Sequence, residues 1–246
     1  METKENHAEP ESQQENGVER AKQAILQAAI PHVAFEGWSD ASFRAAIADS
    51  EVAPGLASAL YPRGGLDLAL EFHRRGDTDM VEKLAATDLT NMRYTARVAY
   101  AIHTRLADAD RELVRRGTTL FALPQNAAEG ARAIWGTADA IWKALGDTST
   151  DFNWYTKRMT LSGVYASTVL FWLGDDSPGN AATWDFLDRR LADVGQFEKF
   201  KAGLRDNPLT RSLREGPFSS AFAVFDKVRM PGMPRMPDDL PGRYRR

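Results

Sequence analysis

The chain of 246 residues has no cysteine, so disulfides, thiolate nucleophiles and thiolate metal sites are excluded, and the composition suits a reducing cytoplasm. Excess positive charge is absent too. The formal net charge of −3 argues against a protein whose main task is to neutralise phosphates. Long apolar runs are missing. The longest, residues 164–173, falls short of the roughly 18–20 residues that cross a bilayer, so no segment is expected to span a membrane. None of the four histidines, His7, His32, His73 and His103, is paired with another at i+3 or i+4, and no HExxH or Glu-x-x-His pattern occurs; metal binding is not expected, and a lone helical histidine reads as structural. GxSxG, P-loop and dinucleotide fingerprints are likewise missing, as is any repeat at a solenoid period.

Alternating strands of five or more residues are absent, whereas helical periodicity dominates residues 18–207, so the class is all-α, with about nine or ten helices. Breaks are expected at Gly37, Pro54, residues 62–65, Gly76, Gly117, Pro124, Gly146, residues 175–180 and Pro208. Residues 1–19 are rich in Glu and Gln without an apolar run, match neither a secretory signal nor an Arg-rich transit peptide, and read as a disordered acidic tail.

The most informative run is residues 146–174, GDTSTDFNWYTKRMTLSGVYASTVLFWLG. Thr150 or Asp151 suits an N-cap, and the helix that follows is apolar almost all round: Leu161, Tyr165, Thr168 and Trp172 form one stripe, with Val164, Val169 and Phe171 on neighbouring faces. Burial is expected on more than one side. Near its start, Trp154 and Tyr155 beside Lys157 and Arg158 read as a contact surface. Upstream, RRGTTLFALP carries Leu120 and Leu123, and the next helix sets Trp135 and Trp142 on one face with Ala138 between them. These residues suit either ordinary core or the wall of an apolar cavity, for which Ala138, Gly163, Ala166 and Ser167 leave room. Asp139, Asp147 and Asp151 form a conceivable acid/base set, but their places near helix ends suggest capping instead.

Helices expected over 21–35, 41–50, 55–61 and 66–75, with Gly37 after the first and Tyr61 ending the third, resemble the N-terminal helix-turn-helix module of TetR-family regulators. That likeness implies DNA binding, but the charges oppose it. Base reading needs Arg, Lys, Asn or Gln, whereas the third helix reads PGLASALYPRG with Arg63 as its cation, and Asp49 and Glu51 would face phosphates. A helix-turn-helix fold that has lost nucleic-acid binding is therefore expected. The alternative is a TetR-type regulator sensing a lipid or other apolar ligand.

The string RRG…LFALP…N, followed by IWGTADAIWKALGDTSTDFNWYTKR and TLSGVYASTVLFWLGDDSPGNAATWDFLDRRLADVGQFEK, resembles the lipid-binding accessory proteins of ubiquinone (coenzyme Q) biosynthesis, the "nine" protein of that pathway. The resemblance implies a TetR-like fold, usually a homodimer, and a non-enzymatic role without a cofactor. The implied ligand is an isoprenoid quinone intermediate held in an apolar cavity, for which Leu120, Leu123, Trp135, Ala138, Trp142, Leu161, Val164, Tyr165, Thr168 and Trp172 are the candidate lining. Asn153, Trp154, Tyr155, Lys157 and Arg158 are implied to dock a di-iron hydroxylase of the pathway. Mitochondrial members begin with a transit sequence, and the acidic start here points to a bacterial cytoplasmic form, peripheral to the inner (cytoplasmic) membrane.

Four segments are expected: the tail at 1–19, a helix-turn-helix-like module at 20–76, a helical lipid-binding domain at 77–206, and a linker, amphipathic helix and basic Pro/Met-rich tail at 207–246. In the last, Pro217 suits a helix start, and Phe218, Phe222 and Phe225 recur on one face, followed by Lys227 and Arg229. This composition suits a helix lying in a membrane interface, as the resemblance also implies.

Overall fold

The computed structural model describes residues 9–150 and 152–206, all of whose regular structure is helical: α1 (Glu9–Glu36), α2 (Asp40–Asp49), α3 (Pro54–Leu60), α4 (Gly65–Ala85), α5 (Tyr94–Ala107), α6 (Arg111–Ala122), α7 (Ala127–Ala144), α8 (Phe152–Leu173) and α9 (Ala181–Asp206), with a short 3-10 turn at Pro178–Asn180. The candidate cap Asp151 and the whole expected membrane segment, with Phe218, Phe222, Phe225, Lys227 and Arg229, lie outside the described residues.

Helix ends follow local chemistry. Ser39 opens α2 by accepting a hydrogen bond from the Ser42 amide at 3.1 Å, and Asp110 opens α6 by accepting from the Leu113 amide at 3.0 Å. Gly37 ends α1 with φ of 69°, a left-handed conformation that favours glycine, while its amide donates to the Val33 carbonyl. The 175–180 loop is set by Asp175, which accepts from the Ser177 amide and from both the amide and hydroxyl of Thr183. Those bonds to the carboxylate hold its pKa well below the usual range.

Two apolar cores are joined by α4. The first packs Ile25, Ala29 and Val33 of α1, Phe43 and Ala46 of α2, Ala57 of α3, and Leu68 and Ala69 of α4, with Trp38, Tyr61 and Leu113. The second gathers Met80 and Leu84 of α4, Val98, Ile102 and Leu106 of α5, Ala138, Ile141 and Trp142 of α7, Leu161, Val164, Tyr165 and Trp172 of α8, and Leu187 of α9. Each large aliphatic side chain buried there contributes about 1.5–3 kcal/mol of transfer free energy.

Three expectations change. Helix α1 begins at Glu9, inside the stretch read as a disordered tail at 1–19; Glu and Gln are good helix formers and can extend a helix already nucleated by its buried face. Gly76 breaks nothing: α4 runs unbroken through the expected module boundary at 76, and a Cβ there would come within 2.5 Å of the Arg105 guanidinium. Gly117 likewise lies within α6, under Trp38.

Candidate functional site

A cavity of about 450 Å³, open on one side, lies where the two cores meet, within the size range of small-molecule sites. One wall comes from the helix-turn-helix side: Trp38, whose ring packs on Phe72 at 5.2 Å between centroids, and Ala69. Trp38 is fixed by an indole N–H donated to the Leu113 carbonyl at 3.1 Å. The opposite wall is α6 and α7. Here Gly117, Ala122, Ala127, Gly130, Ala131 and Ala133 present little side-chain volume, and the space remains open because nothing fills it. Gly130 also permits close approach of the two helices, since a Cβ would stand 2.7 Å from Phe121 Cβ. From α8 come Tyr165, Ala166, Val169 and Leu170, the last 61% exposed, which places it at the rim.

One end of this apolar space is polar. His73, Arg105 and Tyr165 line it, and behind them stand Asp77 and Thr137. Asp77 accepts from Arg105 Nε at 2.7 Å and from the Thr137 hydroxyl at 3.0 Å, while Arg105 also donates to the His73 carbonyl at 3.0 Å. Burial pushes the His73 pKa down, and the nearby Arg105 charge adds to this. Tyr165, wholly enclosed, is pushed up by burial.

Of the ten candidate lining residues, Tyr165 reaches the cavity. Ala138, Trp142, Leu161, Val164 and Trp172 instead fill the second core, and Thr168 is buried with its hydroxyl donated to the Val164 carbonyl. Leu120 packs on the first core, and Leu123 is 42% exposed. The reason is rotational: the largest side chains of α7 and α8 seek the tightest packing, so the open space falls on the adjacent face of small residues. Ala166 was one of the small residues expected to leave room, and it does line the cavity. The Gly/Ala face over 127–133 was the signal in the sequence for the rest; for Trp38, Phe72, His73 and Arg105 there was none.

Trp135 belongs to a different site. Its ring lies 5.9 Å from Trp154 and 6.2 Å from Tyr155, and those two meet edge to face at 4.7 Å, all three partly exposed. Asn153 is exposed beside them and Lys157 is partly so. Arg158 is not available to a partner: its side chain is 1% exposed, stacked under Trp154 at 4.0 Å and ion-paired to Asp139 at 2.6 Å and Asp147 at 3.1 Å. Lys157 adds a bond to Asp147 at 2.6 Å and lies over Trp142. Burial opposes charge on Asp147, but hydrogen bonds from Lys157, Ser149 and Arg158 outweigh it and hold the pKa at about 2. Asp139 and Asp147 are therefore neither caps nor an acid/base pair. They anchor the base of the aromatic surface.

Arg63, at the end of the would-be recognition helix, bonds to Asp67 at 2.8 Å and Glu129 at 2.9 Å. The described residues contain no group of three or more His, Asp or Glu side chains placed to hold a metal, and no helix among them is long and apolar enough to cross a membrane.

A family model described as COQ9 matches residues 127–198. Among curated relatives, the "Ubiquinone biosynthesis protein COQ9, mitochondrial" of Drosophila melanogaster is 30% identical over 219 residues, covering 83% of this chain and 64% of that protein. "Ubiquinone biosynthesis protein COQ9-B, mitochondrial" of Xenopus laevis is 31% identical over 77% of this chain and 67% of its own length. The "Ubiquinone biosynthesis protein COQ9, mitochondrial" of Homo sapiens is 31% identical over 72% of this chain and 58% of its own. The chain spans about three fifths of the length of the first of these curated relatives. The crystal structure of a TetR transcriptional regulator from Nitrosomonas europaea superposes with a TM-score of 0.57 over 71% of this chain and 98% of that chain, at 19% identity. The fold is thus TetR-like.

Proposed function

This chain belongs to the COQ9 family, and on that premise we propose that it is a non-enzymatic accessory protein of ubiquinone biosynthesis that takes an isoprenoid quinone intermediate from the membrane and presents it to a pathway hydroxylase. The observation that carries this reading is the cavity of about 450 Å³, apolar along its length and polar at one end. A prenylated ring has that polarity pattern. Removing each CH₂ from water is worth about 0.8 kcal/mol, but a bilayer offers nearly the same, so exchange between membrane and cavity is close to balanced, as delivery requires. A tail too long for the cavity leaves past Leu170 at the rim.

The Trp135, Trp154 and Tyr155 surface is the docking site in this reading, since aromatics over a fixed cation suit an interface anchor. Residues 216–246 supply the membrane contact, so their deletion should weaken sedimentation with liposomes, and unchanged sedimentation would count against that part. Arg63 is engaged within the protein, which supports the loss of DNA binding over the regulator reading; a salt-sensitive, sequence-specific gel shift would favour the regulator. The ligand reading is tested by titrating a short-tail prenylated hydroquinone into the full chain. Saturable binding by the wild type, lost in Ala166→Trp with cooperative unfolding retained, supports it. Binding of equal affinity in both proteins would remove the cavity as the site.

A further inference from the structure

His73 enters the cavity as a neutral ring whose tautomer can be worked out. Its Nε2 lies 2.8 Å from Thr137 Oγ1, 3.2 Å from the Ala133 carbonyl oxygen and 3.6 Å from the Asp77 carboxylate. Thr137 has a single hydroxyl proton, and both Asp77 oxygens stand 3.0 Å from its Oγ1. A hydroxyl that donates to Asp77 can only accept from the imidazole. Every neighbour of Nε2 is then an acceptor, so Nε2 carries the proton and donates, and Nδ1 is left with a lone pair. The lowered pKa of the ring agrees with this neutral form.

Nδ1 has no hydrogen bond within the described residues. Among the described residues, Trp142 Nε1 and Ser162 Oγ are enclosed side-chain atoms without a hydrogen bond and His73 Nδ1 is not one of that kind, so Nδ1 keeps accessible surface. The side chain as a whole is 19% exposed. The surface that His73 lines is that of the cavity.

Resting on the reading of this cavity as a ligand site, we propose that its polar end is a head-group site in which His73 Nδ1 accepts a hydrogen bond from a ligand hydroxyl, so that the cavity prefers a prenylated phenol or hydroquinone to a molecule presenting only ether or carbonyl oxygens. Asp77, Thr137 and Arg105 act as positioning residues. Asp77 accepts a hydrogen bond from the threonine hydroxyl, Thr137 accepts one from the imidazole Nε2–H, and Arg105 holds both Asp77 and the His73 backbone in place. Gly76 leaves the space that the Arg105 guanidinium occupies. An acceptor that a bound ligand shuts off from water and leaves unpaired is costly, so a site with such an acceptor disfavours an analogue lacking the donor.

The test compares 2-geranylphenol with its methyl ether, which has the same tail and ring but no donor, on the full chain. Wild type should bind the phenol about tenfold tighter, as one hydrogen bond implies. His73→Leu should bind both with the affinity the wild type has for the ether. In the wild type, the ¹⁵N resonance of His73 Nδ1 should move upfield when the phenol binds and stay in place with the ether, a readout that does not depend on the variant folding. Equal affinity for both probes in the wild type, or an unmoved Nδ1 resonance with phenol bound, overturns the head-group site while leaving the cavity a ligand site. Binding of neither probe would overturn both.

Discussion

Arg158 was expected to face a partner, yet its guanidinium is enclosed between Asp139, Asp147 and the Trp154 ring. A charge so buried is tolerable only while paired. Removing one member strands the others, so Arg158→Leu should lower unfolding stability by about 3 kcal/mol or more in chemical denaturation. The same group predicts a pH dependence. Asp147 has a folded pKa of about 2, below its ordinary 3.8, so its contribution is fully present above pH 4 and is lost as pH falls through 2. Stability measured over that window should decline in the wild type and decline less in Asp147→Asn, which starts lower. A flat wild-type profile between those limits would show that the carboxylate is not paired in solution.

At the scale of helices, α8 separates what was legible from what was not. Its length and its buried stripe, Leu161, Tyr165, Thr168 and Trp172, follow from spacing alone. On the neighbouring faces Val164 is buried and Val169 partly so, but Met159, Leu170 and Phe171 are 52%, 61% and 38% exposed, and Phe171 stacks on Phe186 of α9 at 4.6 Å. Apolar composition states that a face needs cover, but not whether the chain itself supplies it. Similarly, the spacing that puts Trp135 and Trp142 on one helical face left open which neighbour each meets; Trp142 stacks on Tyr94, whereas Trp135 joins Trp154 and Tyr155. Trp154→Lys or Tyr155→Lys should reduce hydroxylase capture in a pull-down without reducing bound lipid. Loss of both would indicate misfolding.

Across the whole molecule, the cavity joins parts that the sequence divides. Trp38, Phe72 and His73 come from the helix-turn-helix segment, and Tyr165 and Ala166 from a helix some ninety residues further on. Periodicity identifies each helix, but contact across such a separation depends on how the unbroken α4 carries one core onto the other, which no local pattern encodes. The helix-turn-helix geometry thus serves here as a cavity wall. Native mass spectrometry of the full chain purified without detergent, followed by organic extraction of what it carries, tests this most directly. The wild type should carry a mass excess that is released as an isoprenoid phenol or quinone and is absent from Ala166→Trp. A wild-type protein that stays empty when expressed alongside an active quinone pathway would contradict it.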